Sequence, residues 1–144
     1  MSRGFFGIGI YHPKNSLNIG TLWRTANILG ASFIFTVGAR YRKQSSDTMQ
    51  TPRHIPLTHY KDFDDLKSHL PDSCMLIGVE LSETAQDLKA FSHPQRACYM
   101  LGAEDNGIPP LILAKCHRVI RLTGETSMNV AVAGSIVMYH REAL

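Results

Sequence analysis

The stretch Ala97-Cys98-Tyr99-Met100-Leu101-Gly102-Ala103-Glu104-Asp105-Asn106-Gly107-Ile108-Pro109-Pro110 reads as a β-strand handing over to a helix. Ala97 to Leu101 is a short apolar run of strand length. Gly102 and Gly107 then bracket a turn with free backbone amides. Prolines are tolerated in a first helical turn, so the spacing predicts a helix over Pro109–Lys115. Other β-rich runs occur at Phe5–Tyr11, Ser32–Val37, Met75–Val79 and Val119–Leu122, with a weaker one at Ile55–His59. Helical patterns separate several of them. The alternation implies an α/β fold with a mostly parallel sheet flanked by helices.

Two further handovers carry polar residues that the hydrophobic pattern does not require: Asn18-Ile19-Gly20-Thr21-Leu22-Trp23-Arg24-Thr25-Ala26 and Thr126-Ser127-Met128-Asn129-Val130-Ala131. In the first helix Ile19, Leu22, Ala26 and Leu29 follow the helical period, and Gly30 is placed to end it. The opposite stripe holds Gly20, Arg24 and Asn27, a polar face lacking a side chain at one end. Asp62–Leu70 reads as an ordinary amphipathic cover. The last helix, Asn129 to about Arg141, differs. Val130, Ala131, Val132, Ala133, Ile136, Val137, Met138 and Tyr139 leave almost no polar stripe, so it is expected to be buried all round. Either the chain tucks this helix into the fold or a partner subunit covers it, with Gly134 and Ser135 permitting close contact in the second case. Gln44–Thr51 is the expected mobile loop.

With 144 residues, 44% of them hydrophobic and 19% charged, the chain fits a single folded domain spanning 1–144. Cys74, Cys98 and Cys116 form no CxxC pair and read as buried small hydrophobes, not as a disulfide framework or zinc site. No stretch reaches the length of a membrane span, and the N-terminal apolar run is too short for a signal peptide, so the cytoplasm is the expected compartment. The net charge of +3 is mild. Its placement is more suggestive: Arg40, Arg42, Lys43, Arg53 and His54 crowd one segment. Nucleic acid suits such a stretch through phosphate neutralisation, and a solvated surface loop explains it equally well.

Singly, each polar station has an ordinary explanation. Gly102–Pro109 lacks the Lys-Ser/Thr of a phosphate-binding P-loop and could be a tight turn with a surface glutamate. Ser127 or Asn129 could simply cap a helix, and Arg24 could be solvated. Their ordered co-occurrence carries more weight: Asn-x-Gly-x-x-x-Arg-x-Ala, then Gly-x-Glu-x-x-Gly-Ile-Pro, then Ser-Met-Asn-Val before an apolar terminal helix.

From Gly7 to His140 that ordered set resembles the three motifs of the SpoU/TrmH branch of the SPOUT superfamily, S-adenosylmethionine-dependent RNA ribose 2′-O-methyltransferases. The resemblance implies a C-terminal deep trefoil knot, an arrangement otherwise very rare, and a homodimer formed through the C-terminal helix. It implies catalytic roles for Asn18, Arg24, Glu104 and Asn129. Cofactor contacts would come from Val79, Glu80 and Leu81, from Leu101, Gly102 and Gly107, and from Ile120, Leu122, Ser127 and Met128. The product would be S-adenosylhomocysteine, and no metal is expected. Arg24, Arg40, Arg42, Lys43 and Arg53 would meet RNA, transfer RNA being favoured and ribosomal RNA remaining open. A guanidinium keeps its proton and is a poor base, so Arg24 is read as a clamp on phosphate and developing alkoxide, oriented by Asn18, Glu104 and Asn129. Two alternatives stand beside this reading: a non-catalytic RNA-binding knotted module and an RNA base methyltransferase.

Overall fold

The structure, a computed structural model, describes residues 4–38, 55–103, 107–124, 126 and 128–143. Seven strands form one sheet in the order β3-β2-β1-β6-β4-β7-β5, and every neighbouring pair is parallel. They are β1 (Phe5–Tyr11), β2 (Phe33–Val37), β3 (Leu57–Tyr60), β4 (Met75–Val79), β5 (Gln86–Asp87), β6 (Arg96–Gly102) and β7 (Arg118–Arg121). Parallel neighbours cannot be joined by hairpins, so helices carry the chain back across the faces. Those helices are α1 (Ser16–Ile28), α2 (Phe63–Ser68), α3 (Pro110–Leu113) and α4 (Val130–Ala143).

Alternation along β1 and β6 divides the core in two. Phe6, Ile8, Ile10, Tyr99 and Leu101 face Ile19, Leu22 and Ala26 of α1 and Val130, Val137 and Met138 of α4. On the other face Phe33, Phe35, Cys98 and Met100 pack with Phe63 and Leu66 of α2 and with Ile112 and Leu113 of α3. The result is a three-layer α/β arrangement, as the strand and helix alternation predicts. Five strands fall within a residue of their expected bounds; β3 begins later and ends one residue beyond. The two-residue β5 is an addition too short to leave a periodic signal.

Local sequence sets the helix ends. The Asn15 side chain accepts from the Leu17 amide at 2.8 Å and starts α1. Its other end closes with the Ala31 amide donating to the Ala26 carbonyl at 2.9 Å across Gly30. Asp62 stands outside α2 as its cap, bonding the Asp65 amide, which explains why that helix begins one residue later than expected. α3 is also shorter than its expected Pro109–Lys115 span.

The terminal helix corrects the expectation of burial all round. Val130, Ala131, Gly134, Val137, Met138 and Arg141 are buried, whereas Val132, Ile136 and Tyr139 are exposed, Tyr139 to 66%. These three lie at i, i+4 and i+7, so they form one continuous apolar stripe facing away from the sheet. Gly134 serves a contact within the chain: a Cβ there would stand 2.6 Å from Leu22 Cδ1 and 2.9 Å from Leu101 Cδ1. Its missing side chain lets α4 lie directly on α1 and β6. The far end of α4 is pinned by Arg141, whose guanidinium donates to the carbonyls of Pro94 and Gln95 at 2.7 and 2.9 Å and to the Tyr99 hydroxyl at 3.1 Å. All three cysteines are free thiols, Cys74 and Cys98 buried and Cys116 partly so.

Candidate active site

A cleft opens where β4, β6 and β7 end, at the carboxyl edge that open α/β sheets use for ligands. Its walls are Val79, Glu80 and Leu81 after β4, Leu101, Gly102, Ala103 and Gly107 after β6, and Leu122, Thr123, Thr126 and Met128 after β7. Val130 and Ala133, one turn apart on α4, close the remaining side. The cleft and its open mouth together hold about 530 Å³ of empty space. Eight of the ten expected cofactor residues line it. Ile120 does not: it is fully buried in the sheet core, and its carbonyl accepts the Glu80 amide at 3.0 Å. Strand alternation explains the difference, because Ile120 points into the layer under α1 and α4. Ser127 lies outside the described residues.

Glu80 organises the loop after β6. Its Oε1 accepts the Ile108 amide at 3.0 Å, 28 residues away in sequence. Burial pushes its carboxyl above the usual carboxylate range, while bonds from the Ile108 and Leu81 amides pull the other way. Gly107 has φ +62°, and a Cβ there would stand 2.6 Å from Glu80 Oε1. A Cβ at Gly102 would meet the Gly107–Ile108 backbone at 2.7 Å. The two glycines of the motif therefore serve one contact, a loop folded tightly against a carboxylate and the strand end. An Ala103–Gly107 bridge, with the Gly107 amide donating to the Ala103 carbonyl at 2.9 Å, fastens its base.

The first and third motifs meet beside this cleft. Asn129 Nδ2 donates to Asn18 Oδ1 at 3.1 Å, while its own Oδ1 accepts the amides of Ala131 and Val132 at 2.9 and 3.2 Å. Asn129 is thus a helix cap, and the spare end of its amide reaches α1. Both asparagines line a second groove, between α1 and α4, with Thr21, Ser135 and the exposed apolar stripe.

Arg24 stands apart. It is exposed, and six residues beyond Asn18 place it about 9 Å further along the axis and about a third of a turn around it. Among the described residues no hydrogen bond or ion pair joins Arg24 to Asn18 or Asn129, whose amides bond each other. Glu104 and the RNA candidates Arg40, Arg42, Lys43 and Arg53 lie outside the described residues, as does the Gln44–Thr51 loop.

Sequence reasoning missed Ala103, Thr123, Thr126, Val130 and Ala133 as cleft residues. The first three adjoin residues that it named. Val130 and Ala133 carried a signal in their three-residue spacing, hidden by the apolar character of the whole helix.

The SpoU rRNA Methylase family model matches residues 6–139. The chain belongs to that family. The mouse tRNA (guanosine(18)-2′-O)-methyltransferase is 24% identical over 132 residues, covering 85% of this chain and 8% of its own length. The 23S rRNA (guanosine-2′-O-)-methyltransferase of Acinetobacter baylyi is 24% identical over 133 residues, covering 85% of this chain and 53% of that protein. The chain therefore spans little more than half, or far less, of these relatives. Among solved structures, the SpoU methyltransferase AviRb from Streptomyces viridochromogenes in complex with AdoMet superposes with TM-score 0.81 at 18% identity, over 99% of this chain and 58% of that one. The SpoU fold is thus shared well beyond the reach of sequence identity.

Among the described residues no helix is long and apolar enough to cross a membrane, and no three His, Cys, Asp or Glu side chains are grouped to hold a metal ion.

Proposed function

We propose that this domain transfers a methyl group from S-adenosylmethionine to a ribose 2′-hydroxyl of RNA, with transfer RNA the favoured substrate over ribosomal RNA. One observation carries the reading: the three motif regions, dispersed over more than 100 residues, converge on one sheet edge, where Asn129 joins Asn18 beside the Glu80–Gly107 cleft.

The cleft suits the cofactor chemically. Leu101, Leu122, Met128, Val130 and Ala133 offer an apolar slot for an adenine ring, and the backbone around Gly102 and Gly107 offers polar edges. The half-buried Glu80 carboxyl supplies acceptors on the wall. When bound, S-adenosylmethionine supplies a methyl group on a sulfonium whose sulfur departs neutral. The protein's main task is then to position the hydroxyl in line, and the dense packing of α4 against α1 gives the site a rigid base for it. In this reading Arg24, charged and exposed, holds an RNA phosphate and steadies negative charge developing on the ribose oxygen. Asn18 and Asn129 hold the heads of α1 and α4 in register. Glu104 and Ser127 belong to the same proposal through the family resemblance, as does a C-terminal trefoil knot around the cleft.

A homodimer is part of this reading. Val132, Ile136 and Tyr139, with Leu17 of α1 exposed to 66%, leave an apolar surface beside the groove that holds Asn18 and Asn129. Arg40, Arg42, Lys43 and Arg53 are proposed to track RNA phosphates. The decisive experiment is mass spectrometry of digested transfer and ribosomal RNA from cells deleted for this protein. Loss of one 2′-O-methyl nucleoside, restored by the wild type, is the expected result. An unchanged complement of ribose methylation, together with no S-adenosylmethionine binding by calorimetry, overturns the reading.

A further inference from the structure

At the carboxyl end of β1 the chain makes a turn that neither the cleft nor the sheet requires. His12 precedes Pro13, a setting in which extended backbone with negative φ is the default. Its φ is instead +51°, one of two positive values among described non-glycine residues. The conformation is held by the His12 amide, which donates to the Val37 carbonyl at 2.7 Å. Backbone in such sparsely populated regions persists where surrounding structure over-determines it, and it concentrates at functional sites.

The turn presents an aromatic pair. The His12 imidazole stacks on the Tyr11 ring with centroids 4.2 Å apart and planes 25° apart. Tyr11 packs below against the buried cluster under α2 and α3, and one edge of the imidazole rests on Gly38, where a Cβ would stand 2.5 Å from the ring. His12 is nevertheless exposed. A ring held on one face and at one edge, with the residue open to solvent, is a preformed surface for another flat ring.

Its position ties it to the proposed reaction. Tyr11 is registered beside Gly102, a wall of the cleft, and neighbouring strands lie about 5 Å apart. The turn therefore leaves the sheet at the edge where the cleft opens, one strand away from its Gly102 wall. We propose that the Tyr11–His12 stack is a platform on which an unpaired nucleobase of the RNA substrate seats, fixing the nucleotide whose ribose enters the cleft. Stacking on aromatic side chains is how proteins grip splayed single-stranded bases. The inference rests on the RNA methyltransferase reading and adds a substrate-positioning element to it.

The test uses His12→Asn and His12→Tyr, because asparagine tolerates positive φ without an aromatic ring and tyrosine restores one. Filter binding of bulk transfer RNA is measured without cofactor at several salt concentrations, alongside tritium transfer from S-adenosylmethionine into the same RNA. His12→Asn is expected to weaken RNA binding roughly 5- to 150-fold, with an unchanged salt slope, since stacking releases no counterions. His12→Tyr should bind RNA within about threefold of wild type, both variants should keep wild-type S-adenosylmethionine affinity, and His12→Asn should keep the wild-type melting temperature. Binding by His12→Asn within about twofold of wild type overturns the platform, as does a slope reduced by about one unit, which would mark a phosphate contact. A wild type that binds transfer RNA but neither binds S-adenosylmethionine nor transfers its methyl group counts against the methyltransferase reading, while the comparison of variants still decides the platform.

Discussion

Asn129 donates a hydrogen bond to Asn18 at 3.1 Å, joining the head of α4 to the first turn of α1 across 111 residues of chain. The same side chain caps α4 through its oxygen. Asn129→Ala should lower stability by about 1 kcal/mol, the ordinary cost of losing a cap, and reduce methyl transfer. Asn129→Asp keeps the cap acceptors but not the donor, so its stability should stay near wild type while transfer still falls. Urea denaturation and tritium transfer on the same preparations separate the two roles. Equal activity in Asn129→Asp and wild type would show that the link to Asn18 does not serve catalysis.

Arg24 is exposed and has no described partner, so its replacement should leave the fold intact. Arg24→Ala is expected to abolish methyl transfer while S-adenosylmethionine affinity by calorimetry changes by no more than a few fold. Arg24→Lys should also fail, since a point charge does not reproduce the guanidinium fork. Near-normal turnover in the lysine variant would refute the clamp.

Ile136 and Val137 are neighbours with opposite surroundings, 38% and 0% exposed. Ile136→Glu should give a folded monomer, because it charges the exposed stripe without touching the core. Val137→Glu should give insoluble or unfolded protein, a buried unpaired charge costing several kcal/mol. Light scattering and circular dichroism distinguish these outcomes. A wild-type protein that stays monomeric at micromolar concentration removes the dimer from the proposal.

His93 lies under the far end of α4, bonded to the Tyr99 hydroxyl at 2.6 Å and to His140 Nδ1 at 2.7 Å. Burial, with the nearby His140 and Arg141 charges, pushes its pKa down to about 4. The unfolded chain binds this proton near the usual value of about 6.5. Stability is therefore full above that value and declines as pH falls toward 4. After allowance for partial solvent exposure the loss is on the order of 1–2 kcal/mol. Denaturation midpoints at pH 7 and pH 4.5 should differ by more in the wild type than in His93→Gln. Equal differences in the two proteins would contradict this assignment.

Most of the sheet was legible because its strands are apolar runs bounded by glycine, proline or polar stretches, and the helix on α1 because Ile19, Leu22 and Ala26 keep the 3.6-residue period. The cleft was legible through its glycines. Ile120 sits beside the loop after β7 in sequence, but the alternation of that strand turns its side chain into the core and away from the cleft lining. The exposed face of α4 was hidden for a different reason: Val132, Ile136 and Tyr139 are as apolar as their buried neighbours, so composition could not separate a core face from an uncovered one. The relation of Glu80 to Gly107 was also invisible, since a carboxylate reaching a loop 28 residues away leaves no local pattern.

Gly134 makes the site depend on the order in which the chain becomes available. Seven strands are complete by Arg121, yet the cleft still lacks the wall formed by Val130 and Ala133, and Asn18 lacks Asn129. On a ribosome, a nascent chain exposed only through β7 would hold an open sheet with Leu22 and Leu101 uncovered where Gly134 must later seat. On the proposed function, a chain that lacks α4 has nothing with which to shut the cleft around a cofactor, and its bare apolar patch is the kind of surface that promotes aggregation.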